Sequence, residues 1–273
     1  MLTIFGKWLS IIVVSIFFII GTDEGLAKEL NCQETLVMPV KPKTFLRIQQ
    51  NISFAELERA KKSMLPGVGP GFVILNTHSL IALPKEVSPT IQELIADPFF
   101  WGNQELLYVK DSITGFDFTW EDVDHIPARA EVWENFLLHS SKMLLEIGKT
   151  ILPVELSDHL HVKKTFFRYN GFRENLGVRP HIDAFPLVSV TFLDDVGDTE
   201  GTVIYPLAKD PNSAKYSPRM RLPRYHTIFF YGLNLQNGKH SPLLPGMPLT
   251  KPLIHNAGSG ARIMFIQGYS IDP

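Results

Sequence analysis

The sequence predicts a mainly β protein, a sandwich or barrel of short strands with flanking helices braced against its outside. Three observations predict it. Segments with helical periodicity all lie before Pro153, and beyond it the chain breaks into short apolar runs separated by Gly, Pro and Asp. The third is composition: 45% hydrophobic residues against 20% charged, over 273 residues, is too apolar for a disordered chain and ample for a core. The 19 glycines follow no repeat, which excludes a collagen-like fibre, and a single cysteine excludes an internal disulfide framework.

Taken in order, the chain opens with an address. Lys7 is the one charge before an apolar run from Trp8 to Ile20, which falls short of the roughly 20 residues that span a bilayer. Gly25 and Ala27 then form a small-x-small cleavage pattern, so residues 1–27 read as a signal peptide. Because the apolar character reaches back to Ile4, a short uncleaved membrane anchor is the alternative. Either reading sends the protein to the secretory pathway: periplasm, organelle lumen or outside. Cys32 follows Leu30 and Asn31, where a lipoprotein site needs a small residue.

Residues 28–160 read as a supporting region. Phe45 to Gln49 alternates apolar and polar and is expected to be a strand. Ser53 with Glu56 three residues on is a capping box, opening a helix that stops at Pro66-Gly67. Phe72 to Leu75 is a second strand, and Ser88-Pro89 opens a helix over Ile91 to Ile95. The longest helix is expected from about Ala130 to Ile151, with Val132, Trp133, Phe136, Leu137, Leu144 and Ile147 forming the face that packs on a sheet.

Residues 161–273 read as the β core. Strands are expected at Val162 to Tyr169, Leu187 to Leu193, Thr202 to Tyr205, His226 to Tyr231, Leu253 to Asn256 and Ala261 to Tyr269. Pro-rich stretches at 206–224 and 242–252 are long surface connections of the kind that rim a site.

Charge narrows the partners. With 26 basic and 28 acidic residues the net charge is −2, and no run of like charges stands out, so there is no basic field to displace counterions from nucleic acid. Nucleic acid is not an expected partner.

The chemistry concentrates in His181-Ile182-Asp183. In an extended chain alternate residues share a face, so the imidazole and the carboxylate lie side by side while Ile182 points away. His255 lies in a second apolar strand and is able to approach from across a barrel. Two neutral nitrogen donors and one anionic oxygen on one face of an octahedral metal leave three positions open, the arrangement suited to Fe(II) and O2. Arg262 opens the apolar run Ile263 to Ile266, where a guanidinium is costly unless an anion meets it. A bound dicarboxylate is one candidate anion; an internal carboxylate or the solvent end of the strand is the other. Asp158-His159-Leu160-His161 also places two imidazoles on one strand face, as a cupin does, although it lacks a third ligand.

From Thr165 onward the chain resembles the iron- and 2-oxoglutarate-dependent dioxygenase superfamily, in particular its prolyl 4-hydroxylase-like branch. The likeness is carried by Arg168-Tyr169-Asn170-Gly171 leading to Pro180-His181-Ile182-Asp183, then Val188 to Asp195, Gly201-Thr202-Val203-Ile204-Tyr205-Pro206, Thr227 to Tyr231, and Ile254-His255 through Gly260-Ala261-Arg262. The resemblance implies a double-stranded β-helix, or jelly-roll, buttressed by the N-terminal helices. It implies Fe(II) held by His181, Asp183 and His255, with 2-oxoglutarate and O2 as co-substrates. It also implies that Arg262 meets the far carboxylate of 2-oxoglutarate with Tyr169 beside it; Arg168 and Lys164 on the neighbouring strand are the other bases within reach.

The activity expected from that resemblance is oxidation, most simply hydroxylation, of an unactivated C–H bond in a small molecule or a peptidyl residue, with release of succinate and CO2. Two other readings use the same ligands: a cupin-like metal isomerase or hydrolase, and a non-catalytic binding protein on the same scaffold. Phe99, Phe100, Trp101, Phe116 and Phe118 are candidates to line an apolar pocket, and core packing explains them equally.

Overall fold

The computed structural model describes residues 42–81, 106–109, 112–118, 127–170, 179–196, 201–257 and 261–272, with backbone placement alone for 42–46, 106–109, 112–118, 127–134, 166–170, 194–196, 257 and 261–263. The expected helix at Ser88-Pro89 and the aromatic residues at 99–101 lie outside the described residues.

Helix α1 (Pro42–Asn51) replaces the strand expected at Phe45 to Gln49. The alternation there is only five residues long, and the register that wins is the four-residue spacing of Ile48 and Ile52, both buried in one cluster with Leu57 and Ala60. Helix α2 (Phe54–Ser63) starts where the sequence says: the Ser53 hydroxyl accepts from Glu56 N–H, and the Glu56 carboxylate accepts from Ser53 N–H at 3.2 Å. Helix α3 (Pro127–Ile151) buries Phe136, Leu137, Leu144 and Ile147, and the short α4 (Val154–Ser157) follows.

The strands are β1 (Phe72–Asn76), β2 (Leu106–Val109), β3 (Ser112–Phe118), β4 (Leu160–Asn170), β5 (Leu187–Val196), β6 (Thr202–Tyr205), β7 (Met220–Arg221), β8 (His226–Tyr231), β9 (Leu235–Gln236), β10 (Lys239–His240), β11 (Ile254–Ala257) and β12 (Ala261–Ile271). They form a large sheet in the order β1-β8-β5-β12-β4-β3-β2, a small sheet in the order β11-β6-β7, and the hairpin β9-β10. Every ladder among the described residues is antiparallel. From β4 onward the chain passes back and forth between the sheets. The strand β4 lies in the large sheet, and residue 181 then bridges to β11 in the small one. After that β5 is large, β6 and β7 small, β8 large, β11 small and β12 large. That weave is the jelly-roll, a double-stranded β-helix.

Alternation along the strands sorts the side chains. One face of the large sheet carries Val188, Val190, Phe230, Met264 and Ile266, which pack with Ile204 of the small sheet. The opposite face carries Leu187, Phe229, Phe265 and Tyr269, which pack under α1, α2 and α3. Rings of Phe136 and Phe265 meet there at 6.3 Å. No helix among the described residues is long and apolar enough to cross a membrane.

Candidate metal centre

His181 and His255 are brought together by an isolated antiparallel bridge. The His181 N–H donates to the His255 carbonyl at 2.9 Å and the His255 N–H returns to the His181 carbonyl at 3.1 Å. Residues paired this way project their side chains on the same face, and the ring centroids stand 4.4 Å apart. On its other side His255 pairs with Ile204 of β6, so the small sheet holds its register from two directions.

Asp183 is delivered differently. Ile182 to Pro186 is irregular, yet Ile182 packs in the cluster of Val203, Tyr205, Ala208, Ala214 and Ile254 on the outer face of the small sheet, which turns His181 and Asp183 inward. The Leu233 N–H donates to the Asp183 carbonyl at 2.8 Å. Two glycines make room. A Cβ on Gly232 would stand 2.5 Å from the Asp183 carbonyl oxygen and 2.4 Å from that of Phe185, and a Cβ on Gly268 would meet the Phe185 ring at 2.7 Å. The loop bearing the carboxylate is thus pressed against bare backbone on both sides.

The carboxylate ends up between the two rings. Asp183 Oδ1 lies 3.5 Å from His181 Nε2, and Oδ2 lies 3.5 Å from His255 Nε2. Both distances exceed the 2.7–3.2 Å of a good N–H···O bond, so the three groups converge on a common point rather than closing a hydrogen-bonded dyad. One ligand atom from each lies within 4.8 Å of the others. Donors about 2.1 Å from a shared ion are roughly 3 to 4 Å apart, so this set fits a small divalent metal with little adjustment. His181 Nδ1 faces the Arg179 carbonyl at 2.9 Å. A carbonyl only accepts, so Nδ1 carries the proton and Nε2 offers its lone pair inward. His255 is buried at 6% exposure with the Phe230 ring 4.8 Å from its own. The His181 and Asp183 side chains keep 35% and 26% of their surface, which leaves one side of the cluster open to a ligand.

Other candidates fall elsewhere. Arg262 stands opposite Asp195 of β5 and Asn170 of β4, and Tyr169 opposite Ile263; their side chains, and that of Arg168, lie outside the described residues. Lys164 stands opposite Gly268 and is exposed. The second histidine pair is not a strand face: Asp158 and His159 form a turn after α4, and the His159 Nδ1 is held by the Asp272 carbonyl at 2.8 Å, so only His161 is in β4. Among the described residues His181, Asp183 and His255 are the group that metal-ligand geometry selects. Sequence reasoning missed Gly232, Gly268 and Phe185; the signal for Gly268 was a glycine inside an apolar strand, which marks close approach by another group.

No protein-family model matches the chain, and no curated protein matches it in sequence. Among solved structures it is similar to SnoN, a non-heme alpha ketoglutarate dependent epimerase from nogalamycin biosynthesis, at 15% identity over 79% of this chain and 83% of that one, with a TM-score of 0.48. It is also similar to a prolyl 4-hydroxylase from Phytophthora capsici, at 10% identity over 83% and 65% with a TM-score of 0.46. A third is the dioxygenase for auxin oxidation in rice, at 12% identity over 78% and 76% with a TM-score of 0.44. These are distant likenesses of shape.

Proposed function

We propose that this protein is an Fe(II)- and 2-oxoglutarate-dependent oxygenase. The observation that carries the reading is the Asp183 carboxylate held 3.5 Å from an imidazole nitrogen on each side, at the partly open end of a jelly-roll whose inner wall is apolar. Two neutral nitrogens and one carboxylate with an open side suit Fe(II) better than a closed structural site. Held by His181, Asp183 and His255, Fe(II) would supply O2-driven oxidation coupled to conversion of 2-oxoglutarate to succinate and CO2.

The chain's own residues have three tasks. His181 and His255 hold their nitrogens on one face through the reciprocal backbone bridge, and the Arg179 carbonyl keeps the His181 proton on Nδ1. Asp183 supplies the one negative charge, on a loop that packs against Gly232 directly and against Gly268 through the Phe185 ring. Val190, Phe230, Met264 and Ile266 exclude water behind the ligands. Arg262 and Tyr169, on adjacent strands β12 and β4, are proposed to meet the far carboxylate of 2-oxoglutarate. Within this reading the reaction is hydroxylation of a small molecule or peptidyl residue. The leader at 1–27 is proposed to place the enzyme in the secretory pathway, with an organelle lumen a better source of Fe(II) and 2-oxoglutarate than bulk periplasm.

The test is anaerobic loading with Fe(II), then O2-dependent succinate formation from 2-oxoglutarate with candidate substrates. Turnover that needs O2, iron and 2-oxoglutarate together supports the reading. Activity without O2 and indifferent to 2-oxoglutarate assigns the site to a cupin-like isomerase or hydrolase instead, and metal binding with no turnover assigns it to a binding protein.

A further inference from the structure

The net charge of −2 hides an uneven division. From Pro211 to Ile271 the chain holds seven basic residues and no acidic one, so all 28 acidic residues and 19 basic ones lie in the rest. That electropositive stretch builds most of the loops at the open end of the centre. Strand β6 leaves the small sheet at Tyr205, the partner of Ile254 beside His255, and just beyond it Lys251 Nζ donates to the Pro206 carbonyl at 2.8 Å. Strand β7 returns at Met220, opposite Ile204 in the row that continues to His255 and His181. Strand β8 ends at Tyr231, and Leu233, bonded to the Asp183 carbonyl, leads into the β9-β10 hairpin that carries Lys239.

The same loops expose large apolar side chains: Leu207 at 68% and Tyr216 at 81% between β6 and β7, Met220 on β7, Leu235 on β9 and Leu249 ahead of β11. Lys209, Lys215, Lys239 and Lys251 stand exposed among them. Asp210 is the acid of the β6-β7 loop, and its carboxylate is engaged by the Asn212 and Ser213 N–H groups. Apolar side chains gathered at one end and rimmed by charge mark an interaction surface.

We propose that this end of the molecule docks on a lipid bilayer carrying anionic headgroups, with the loops entering the headgroup layer and the open side of the triad facing it. Lysines are drawn to such a surface, and the apolar side chains enter beneath it. A bound peptide asks for a groove or a strand edge, whereas these side chains project from the β6-β7 loop, the β9-β10 hairpin and the 241–253 loop separately, which suits a fluid layer. The inference stands on charge and exposure and does not depend on the chemistry of the triad.

The test uses the full chain with vesicles of equal parts phosphatidylcholine and phosphatidylglycerol, whose brominated acyl chains quench tryptophan on contact. Leu207→Trp and Leu249→Trp report the loops, and Val154→Trp, on α4 and also exposed at 68%, is the control. Each signal is read as the difference from wild type, which has four tryptophans of its own. An N-terminal segment that tethers the chain to the vesicle does not mimic docking, because the added tryptophan reports only its own site. Leu207→Trp and Leu249→Trp are expected to lose about half or more of the added fluorescence, the outcome of entry to the acyl boundary, and Val154→Trp almost none. Phosphatidylcholine alone, or Lys239→Gln with Lys251→Gln in the Leu249→Trp chain, should remove most of that quenching, since each lysine near an anionic surface contributes roughly a fivefold preference. Absence of quenching at both loop sites, equal quenching at Val154→Trp, or quenching indifferent to lipid charge overturns the proposal. Polyglutamate that shifts Leu249→Trp emission where vesicles do not assigns the surface to an acidic peptide and overturns it as well. All of these outcomes leave the oxygenase reading to its own assay of succinate formation.

Discussion

At the scale of single residues, Asp183 has the most to lose. Its carboxylate is the one anionic donor among the three groups, and it touches both imidazoles at the same distance. Asp183→Ala is therefore expected to weaken Mn(II) or Fe(II) binding by more than about a hundredfold, above the range seen when only supporting contacts are lost. The metal-free chain should melt within a few degrees of wild type, because the side chain carries no core packing. Titration calorimetry alongside thermal melts checks both halves, and an alanine variant with native affinity removes the site. Glu146 is a residue with the opposite problem. It is buried on α3 at 6% exposure, and that burial raises its pKa despite nearby Lys149 and Lys142. A carboxyl whose folded pKa is raised favours the protonated state, so its penalty is absent below the unfolded value and grows as pH rises through the folded one. Glu146→Gln should raise the melting temperature at pH 8, by about 2 °C or more, and have little effect near pH 4. Equal shifts at both pH values contradict this account.

At the scale of elements, the loop from Ile182 to Pro186 is shaped by side chains missing at Gly232, just after β8, and at Gly268 in β12. Gly268→Ala puts a methyl group 2.7 Å from the Phe185 ring, so the ring and the loop behind it must move. The expected result is a loss of about 1 to 3 kcal/mol of stability together with weaker metal binding. Phe185→Ala in the same chain vacates the space and should recover part of the metal affinity. Failure of that rescue means the loop is not positioned by this contact. The capping box of α2 offers a simpler case: Ser53→Ala removes the acceptor for Glu56 N–H and should cost about 1 kcal/mol in denaturant unfolding. These elements also show how far local pattern reaches. The capping box, the α3 stripe at Phe136, Leu137, Leu144 and Ile147, and strands β5, β6 and β8 were all legible, since each has a long period or clear punctuation. Phe45 to Gln49 was misread because five alternating residues fit either period, and only burial of Ile48 against Ile52, Leu57 and Ala60 decides for helix. The two-residue strand β7 inside the Pro-rich stretch was invisible for a related reason: its existence depends on pairing Val203 with Arg221 and Ile204 with Met220, not on its own composition.

At the scale of the whole molecule, the centre joins parts of the jelly-roll that the sequence keeps far apart, so a ligand there is linked to global stability. A metal that binds only the folded chain adds about 2.7 kcal/mol at a free concentration of one hundred times its dissociation constant. Mn(II) should therefore raise the melting temperature of wild type in proportion to the logarithm of its concentration, and leave Asp183→Ala unmoved. Identical shifts in both would place the binding elsewhere. By itself the sequence determined the predominance of strands after Pro153 and the helices before it, and it nominated His181, Asp183 and His255 as a donor set, because side-chain type and local period are properties of adjacent residues. Only the tertiary structure decided that His181 pairs with His255, that bare backbone at Gly232 and Gly268 makes room for the loop of Asp183 and Phe185, and that Thr202 turns toward Met264. Those are facts of register between distant strands, and a strand's own pattern says which face is apolar without saying which strand will lie beside it.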